Sequence, residues 1–201
     1  MKIALFSDIH ANLPALEAFF EDIDQRDIDA IYCLGDLVGY NIWPNEVIEE
    51  IRKRHIPTIA GNYDFGIGRN SDDCGCAYKT DEEKANGTVS ISLTNELIND
   101  NNRAYLRSLP AHIKIEFKLN DDKLNLLLVH VSPRKINEYL FEDRDEKSLL
   151  RILTSCLRKR RCLKKRRKSR KKKRRPKRIS PLFLKTSRMK RSLRRLRMSR
   201  I

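Results

Sequence analysis

The chain has 201 residues, 40% of them hydrophobic, enough for one domain with a buried core. Its formal net charge of +16 is lopsided: residues 157–201 hold 25 Lys and Arg and no acidic residue, leaving 18 basic residues against all 27 acidic ones before them. No apolar run approaches the roughly 20 residues of a membrane span and no signal-peptide pattern leads the chain. Five irregularly spaced cysteines do not make a secreted disulfide framework, so a cytoplasmic protein is expected.

In chain order, Ile3-Ala4-Leu5-Phe6 is a short apolar run closing in Ser7-Asp8-Ile9-His10, the pattern of a buried central strand in an α/β domain. Ligands of such sheets sit at the carboxyl ends of strands. Asp8 and His10 therefore read either as metal ligands or as a polar strand end meeting solvent. Asn12 as N-cap, Pro14 in the first turn, and Leu13, Leu16, Phe19, Phe20 and Ile23 at helical spacing predict a helix. A second strand, Ala30 to Leu34, runs into Gly35-Asp36, and Pro44 opens a second helix through Val47, Ile48 and Ile51. A third strand, Pro57 to Ala60, ends in Gly61-Asn62-Tyr63-Asp64. The order βαβαβ implies parallel strands with right-handed crossovers.

Three strand ends thus carry Asp8-x-His10, Gly35-Asp36 and Gly61-Asn62-x-Asp64, about one strand-helix-strand repeat apart, so these side chains should converge on one edge of the sheet. Glycine before Asp36 and before Asn62 lets the backbone turn sharply and come close to a ligand. A fourth apolar strand, Leu124 to Val129, ends in His130-Val131-Ser132-Pro133 and brings an imidazole to the same edge. It reads as a hairpin with Ile113 to Leu119, turning at Asn120-Asp121-Asp122.

Between the third strand and His130 lies an insertion, about 65–107, with a helix around Asn95 to Leu106. Its position suggests a cap over the metal edge, with Arg69 and Lys79 as phosphate contacts. Cys74-Gly75-Cys76 lacks the second pair a zinc site needs and reads as reduced structural cysteines. A final helical pattern, Leu149, Leu150, Ile152 and Leu153, ends near Cys156. The domain is therefore placed at 1–156 and a polybasic tail, disordered or helical, at 157–201.

Together these elements resemble the calcineurin-like metallophosphoesterases, particularly the small bacterial and archaeal phosphodiesterase branch. The resemblance implies an αββα sandwich with two divalent metals, Mn²⁺ first and Fe, Zn²⁺ or Ni²⁺ as alternatives. Asp8 and His10 would hold one ion, Asp36 would bridge both, and Asn62 and His130 would hold the other. Mixed oxygen and imidazole donors suit such ions. The implied reaction is hydrolysis of phosphomonoesters or phosphodiesters by a hydroxide bridging the metals, with Asn62, Arg69 and Lys79 contacting substrate.

Two departures stand out. Tyr63 occupies the position where many relatives carry a histidine proton donor, and it either serves as donor or packs over the site. Asp64 orients that donor in the family. The Gly-His-x-His motif that gives each metal one further histidine has no counterpart, because the chain's four histidines are His10, His55, His112 and His130. C-terminal strands of the sandwich are thus expected to be missing. The tail that stands in their place has three readings: a nonspecific nucleic-acid arm, an anionic-membrane patch, or an aberrant end read in a shifted frame. The alternative to an active phosphoesterase is an inactive domain whose working part is that polybasic arm.

Overall fold

The computed structural model describes residues 1–119 and 122–154. They form a mixed α/β domain, all within the first of two units into which the chain divides, Met1–Arg161. β1 (Ile3–Phe6) leads into α1 (Leu13–Ile23), β2 (Ala30–Cys33) into α2 (Pro44–Lys53). After them come three helices, α3 (Asn62–Gly68), α4 (Asp81–Leu97) and α5 (Asp100–Ser108), then β3 (His112–Leu119) and β4 (Asp122–Val129). A last helix, α6, runs over 146–154.

β1 and β2 pair in parallel, Ile3 opposite Ala30 through Phe6 opposite Cys33. The expected third strand is reduced to one parallel bridge, Cys33 to Thr58, flanked by hydrogen bonds from Cys33 N–H to Pro57 C=O (3.1 Å) and from Ile59 N–H to Cys33 C=O (3.1 Å). β2 therefore sits between β1 and the 57–60 segment. Among the described residues β1 is paired on one side only, a correction to its reading as the central strand. An apolar run records which faces of a strand are covered, not which strands flank it. β3 and β4 make the expected antiparallel hairpin, His112 opposite Val129.

Ala4, Phe6, Ile31 and Cys33 share one face of the first sheet, as period 2 requires, and pack against the helices. That core holds Leu16, Phe20 and Ile23 of α1 and Val47, Ile48 and Ile51 of α2, with Ile67, Ile91 and Leu106 from the three later helices. Leu5 points the other way and is 46% exposed. α1 begins as expected, Asn12 Oδ1 accepting from Ala15 N–H at 3.1 Å with Pro14 in the first turn.

The 65–107 insertion differs from expectation. The single helix placed around Asn95 to Leu106 is two helices broken at Ile98-Asn99, where Asn99 Oδ1 caps α5 by accepting from Asn102 N–H (2.8 Å). α4 precedes it, capped by Thr80, whose Oγ1 accepts from Glu83 N–H (3.1 Å). Thr80-Asp81-Glu82-Glu83 is a helix-start pattern with acidic residues against the positive helix end.

Candidate metal centre

The loop after β1 and the loop after β2 are laced together beyond their strands. Asp8 N–H donates to Gly35 C=O (2.9 Å), His10 N–H to Asp36 C=O (3.0 Å) and Ala11 N–H to Leu37 C=O (2.7 Å). The lacing holds Asp8, His10 and Asp36 in the left-handed region, at φ of 58°, 48° and 56°, which costs free energy for residues with a Cβ. Gly35, at φ +98°, is needed for a second reason: a Cβ there would lie 2.3 Å from Gly61 N. The Gly61 end of the 57–60 segment is pressed against the Gly35-Asp36 turn, and α3 starts there, so Asn62 sits at a helix N-terminus.

These loops collect the donors around one carboxylate. Asp36, 3% exposed, presents Oδ2 3.8 Å from His10 Nε2 and 3.3 Å from His130 Nε2. Asp8 Oδ1 lies 3.9 Å from His10 Nε2, and Asn62 Oδ1 lies 3.2 Å from His130 Nε2. One ligand atom each of Asp8, His10 and Asp36 falls within 4.8 Å of the others. His130 and Asn62 extend the group on Asp36.

The hydrogen bonds behind these donors decide how they point. His10 Nδ1 donates to Val38 C=O (2.9 Å) and His130 Nδ1 to Leu34 C=O (2.8 Å). Carbonyls only accept, so Nδ1 carries the proton in both rings and Nε2 is the atom offered to the centre, as in metal-binding histidines. Asn62 Nδ2 donates to Cys74 C=O (3.1 Å) and to Cys76 Sγ (3.3 Å), which leaves Oδ1 facing inward. Burial opposes charge on His130, but the hydrogen bond and negative charge of Asp36 outweigh it and raise the imidazole to about 9. Two imidazole nitrogens, two carboxylates and an amide oxygen on one small volume are a donor set for divalent cations of the Mn, Fe or Zn kind.

Asp64 is fully buried and does not join the cluster. Its carboxylate accepts from Asp36 N–H (2.8 Å), Leu37 N–H (2.9 Å) and Gly61 N–H (3.0 Å), tying the Asp36 turn to the start of α3. Burial pushes its carboxyl up to about 7, with Asp36 adding to the rise and the three N–H groups opposing it. Tyr63 is 1% exposed, its ring edge-on to His10 at 5.2 Å and its hydroxyl 3.3 Å from that of Tyr78. Burial and neighbouring hydroxyls push the Tyr63 phenol far above its usual range, so it stays protonated.

A cavity of about 330 Å³ opens over the cluster, and Lys79 lines it. Arg69 does not: its guanidinium lies 3.6 Å from the centre of the Phe65 ring and donates to Phe65 C=O (3.0 Å). Of the insertion, residues Cys76 to Lys79 border the cavity, while α4 and α5 pack on α2 and α3. Cys74 and Cys76 are free thiols. Reasoning from sequence missed Tyr40, Cys76, Tyr78, Tyr139 and Phe141 as lining residues. The density of Cys, Tyr and Lys in Cys74 to Lys79 hinted at Cys76 and Tyr78 alone. His55 lies at the end of α2 and His112 opens β3, and neither reaches the cavity. The segment from 157 onward lies outside the described residues.

Strand-end donors on an α/β sheet make this a candidate metal-binding site. Residues 1–155 match the calcineurin-like phosphoesterase family, and the chain belongs to it. It is 40% identical over 144 residues to an uncharacterized protein of Methanocaldococcus jannaschii, covering 70% of this chain and 54% of that one. It is also similar to a metallophosphoesterase of Sphaerobacter thermophilus, at 33% identity and a TM-score of 0.48 over 70% of this chain and 51% of the other. A hypothetical protein of Pyrococcus horikoshii shares the fold, with a TM-score of 0.58 and 24% identity over 77% and 64% of the two chains. The chain spans about half the length of the curated relative it matches.

Among the described residues no helix is long and apolar enough to cross a membrane.

Proposed function

We propose that the 1–156 domain is a metal-dependent phosphoesterase of the small phosphodiesterase branch, hydrolysing phosphomonoesters or phosphodiesters. Asp8 and His10 would hold one divalent ion, Asn62 and His130 a second, and Asp36 both, with Mn²⁺ the leading candidate. Bound there, the ions supply positive charge against the phosphate oxygens and lower the pKa of water. The single observation that carries this reading is the placement of His10 Nε2 and His130 Nε2 about Asp36 Oδ2, each imidazole turned inward by a backbone carbonyl.

The chain's own residues divide the remaining work. Asp64 is a positioning residue that fixes the Asp36 turn. Tyr63, held neutral, donates a hydrogen bond to an ester oxygen rather than acting as a strong acid. Lys79 adds positive charge at the mouth. Among the described residues each ion would have three protein ligands, Asp8, His10 and Asp36 for one and Asp36, Asn62 and His130 for the other.

The test is hydrolysis of bis-nitrophenyl phosphate with Mn²⁺. Turnover that chelation stops and Asp36→Asn abolishes is expected. Unchanged turnover in that variant sinks the two-metal assignment. A second reading, an inactive domain serving a polyanion-binding arm, is favoured by the 25 basic residues of 157–201. It predicts salt-sensitive DNA binding that is lost when the chain is cut after Cys156.

A further inference from the structure

The cavity over the carboxylate cluster is unusually rich in rings. Tyr139 and Phe141 both line it, their planes 11° apart and centroids 6.0 Å apart. Phe141 is 54% exposed and Tyr40, which lines the same cavity, is 47% exposed. Both rings thus keep surface open beside the polar cluster. Lys79 Nζ lies 5.8 Å from the Phe141 ring centre, within cation–π reach.

Two segments without regular secondary structure build this wall side by side. A Cβ on Gly75 would fall 2.6 Å from Asn137 Nδ2, Ala77 and Tyr139 both line the cavity, and Lys79 meets Phe141. Glu138 clamps the second segment: its carboxylate accepts from Ser132 Oγ (2.6 Å), Arg134 Nε (2.9 Å) and an Arg144 N–H (3.2 Å). Arg144 also donates to Tyr139 C=O (3.0 Å). The clamp starts two residues after His130, so wall and metal cluster are fixed to one another.

We propose that Tyr139 and Phe141, with Lys79 beside them, form a subsite for the planar aromatic group of a phosphate ester, a nucleobase or an aryl ring. The phosphate lies over Asp36 while the flat group lies against the rings. Stacking on exposed aromatic faces is tolerant of which planar group arrives, and an aliphatic ester gains none of it. The phosphate half rests on the phosphoesterase reading; the ring half does not.

The experiment uses the full chain and compares AMP with ribose 5-phosphate by calorimetric titration in Mn²⁺. Ribose 5-phosphate controls for binding by the basic segment. Adenosine is followed by saturation-transfer NMR in EDTA. AMP should bind about tenfold more tightly than ribose 5-phosphate. Phe141→Ala should erase that preference and the adenosine signal, and Phe141→Trp should restore both. Glu138→Gln should reduce the preference for AMP over ribose 5-phosphate, because it frees the segment without touching the ligand. Equal affinity for AMP and ribose 5-phosphate in the parent chain, or equal losses for both in Phe141→Ala, overturns the subsite. If inorganic phosphate fails to bind with Mn²⁺ while adenosine contact persists, the metal reading falls and the ring subsite stands. If phosphate binds and adenosine shows no contact, the ring subsite falls alone.

Discussion

Asp36 and Asp64 hold each other's segments in a reciprocal clasp: Asp64 Oδ2 accepts from Asp36 N–H at 2.8 Å, and Asp36 Oδ1 accepts from the N–H of Tyr63, beside Asp64, at 2.9 Å. One oxygen of Asp36 is thereby committed to the fold, and Oδ2 is left to face the two imidazoles. Asp64→Asn replaces one acceptor oxygen with a donor, so at least one of three N–H groups loses its partner. A loss of about 2 kcal/mol is expected by urea unfolding, together with weakened Mn²⁺ binding. An unchanged unfolding midpoint would refute the clasp.

Gly61→Ala isolates space from backbone preference. Gly61 has φ −83°, open to any residue, yet its added Cβ would lie 1.9 Å from Asp36 Oδ1 and 2.3 Å from Asp36 N. The turn must shift, and Mn²⁺ affinity should fall about tenfold or more. Titration calorimetry on the variant reads this directly, and wild-type affinity would show that the Gly61 contact does not position Asp36.

Metal binding should raise stability by mass action. At about 100 times Kd, Mn²⁺ adds about 2.7 kcal/mol and EDTA removes it. His10→Ala and His130→Ala should each cut the Mn²⁺-induced shift in melting temperature. A shift that survives both substitutions would place the ion elsewhere.

Tyr63→Phe separates a chemical role from a packing one. The ring keeps its contacts, so the melting temperature should hardly move. Turnover of an alkyl phosphate ester, whose leaving oxygen needs a hydrogen bond, should fall about tenfold, and that of a nitrophenyl ester much less. Equal rates for both esters in both proteins would leave Tyr63 as packing.

Glu138 gives the clamp a pH dependence. Hydrogen bonds from Arg134 and Ser132 hold its carboxyl down to about 2, against an ordinary value of 4.5. A depressed carboxylate contributes stability that is complete above the ordinary value and is lost as pH falls through the folded one. The difference between the parent chain and Glu138→Gln should be about 1–2 kcal/mol at neutral pH, reduced by the exposure of both arginines, and should vanish between about pH 4.5 and 2. Denaturant melts across that range test it, and a pH-independent difference would contradict the clamp.

Much of this was legible in the chain itself. Asp8, His10, Asp36, Asn62 and His130 each close or follow an apolar run, and the sheet's periodicity brings such positions to one edge. The hairpin of β3 and β4 was visible in its two apolar runs; of the expected turn, Asp122 opens β4 and 120–121 lie outside the described residues. What escaped has physical causes. α4 is weakly amphipathic, Gly87 within it accommodates the Tyr78 hydroxyl, and its start shows only in the cap at Thr80. The cavity wall comes from segments 74–79 and 137–141, which have no periodicity to read and meet only through tertiary contact. Arg69 illustrates the converse: a basic residue near a candidate site was drawn to the Phe65 ring four positions earlier.

The free side of β1 carries a further consequence. Its outward N–H and C=O groups have no strand partner among the described residues, and Leu5 is exposed beside them, as are Leu124 and Leu127 on the hairpin. Such an edge is a template on which a strand from another molecule adds. Among the described residues this rim is therefore where a further strand can add to the first sheet.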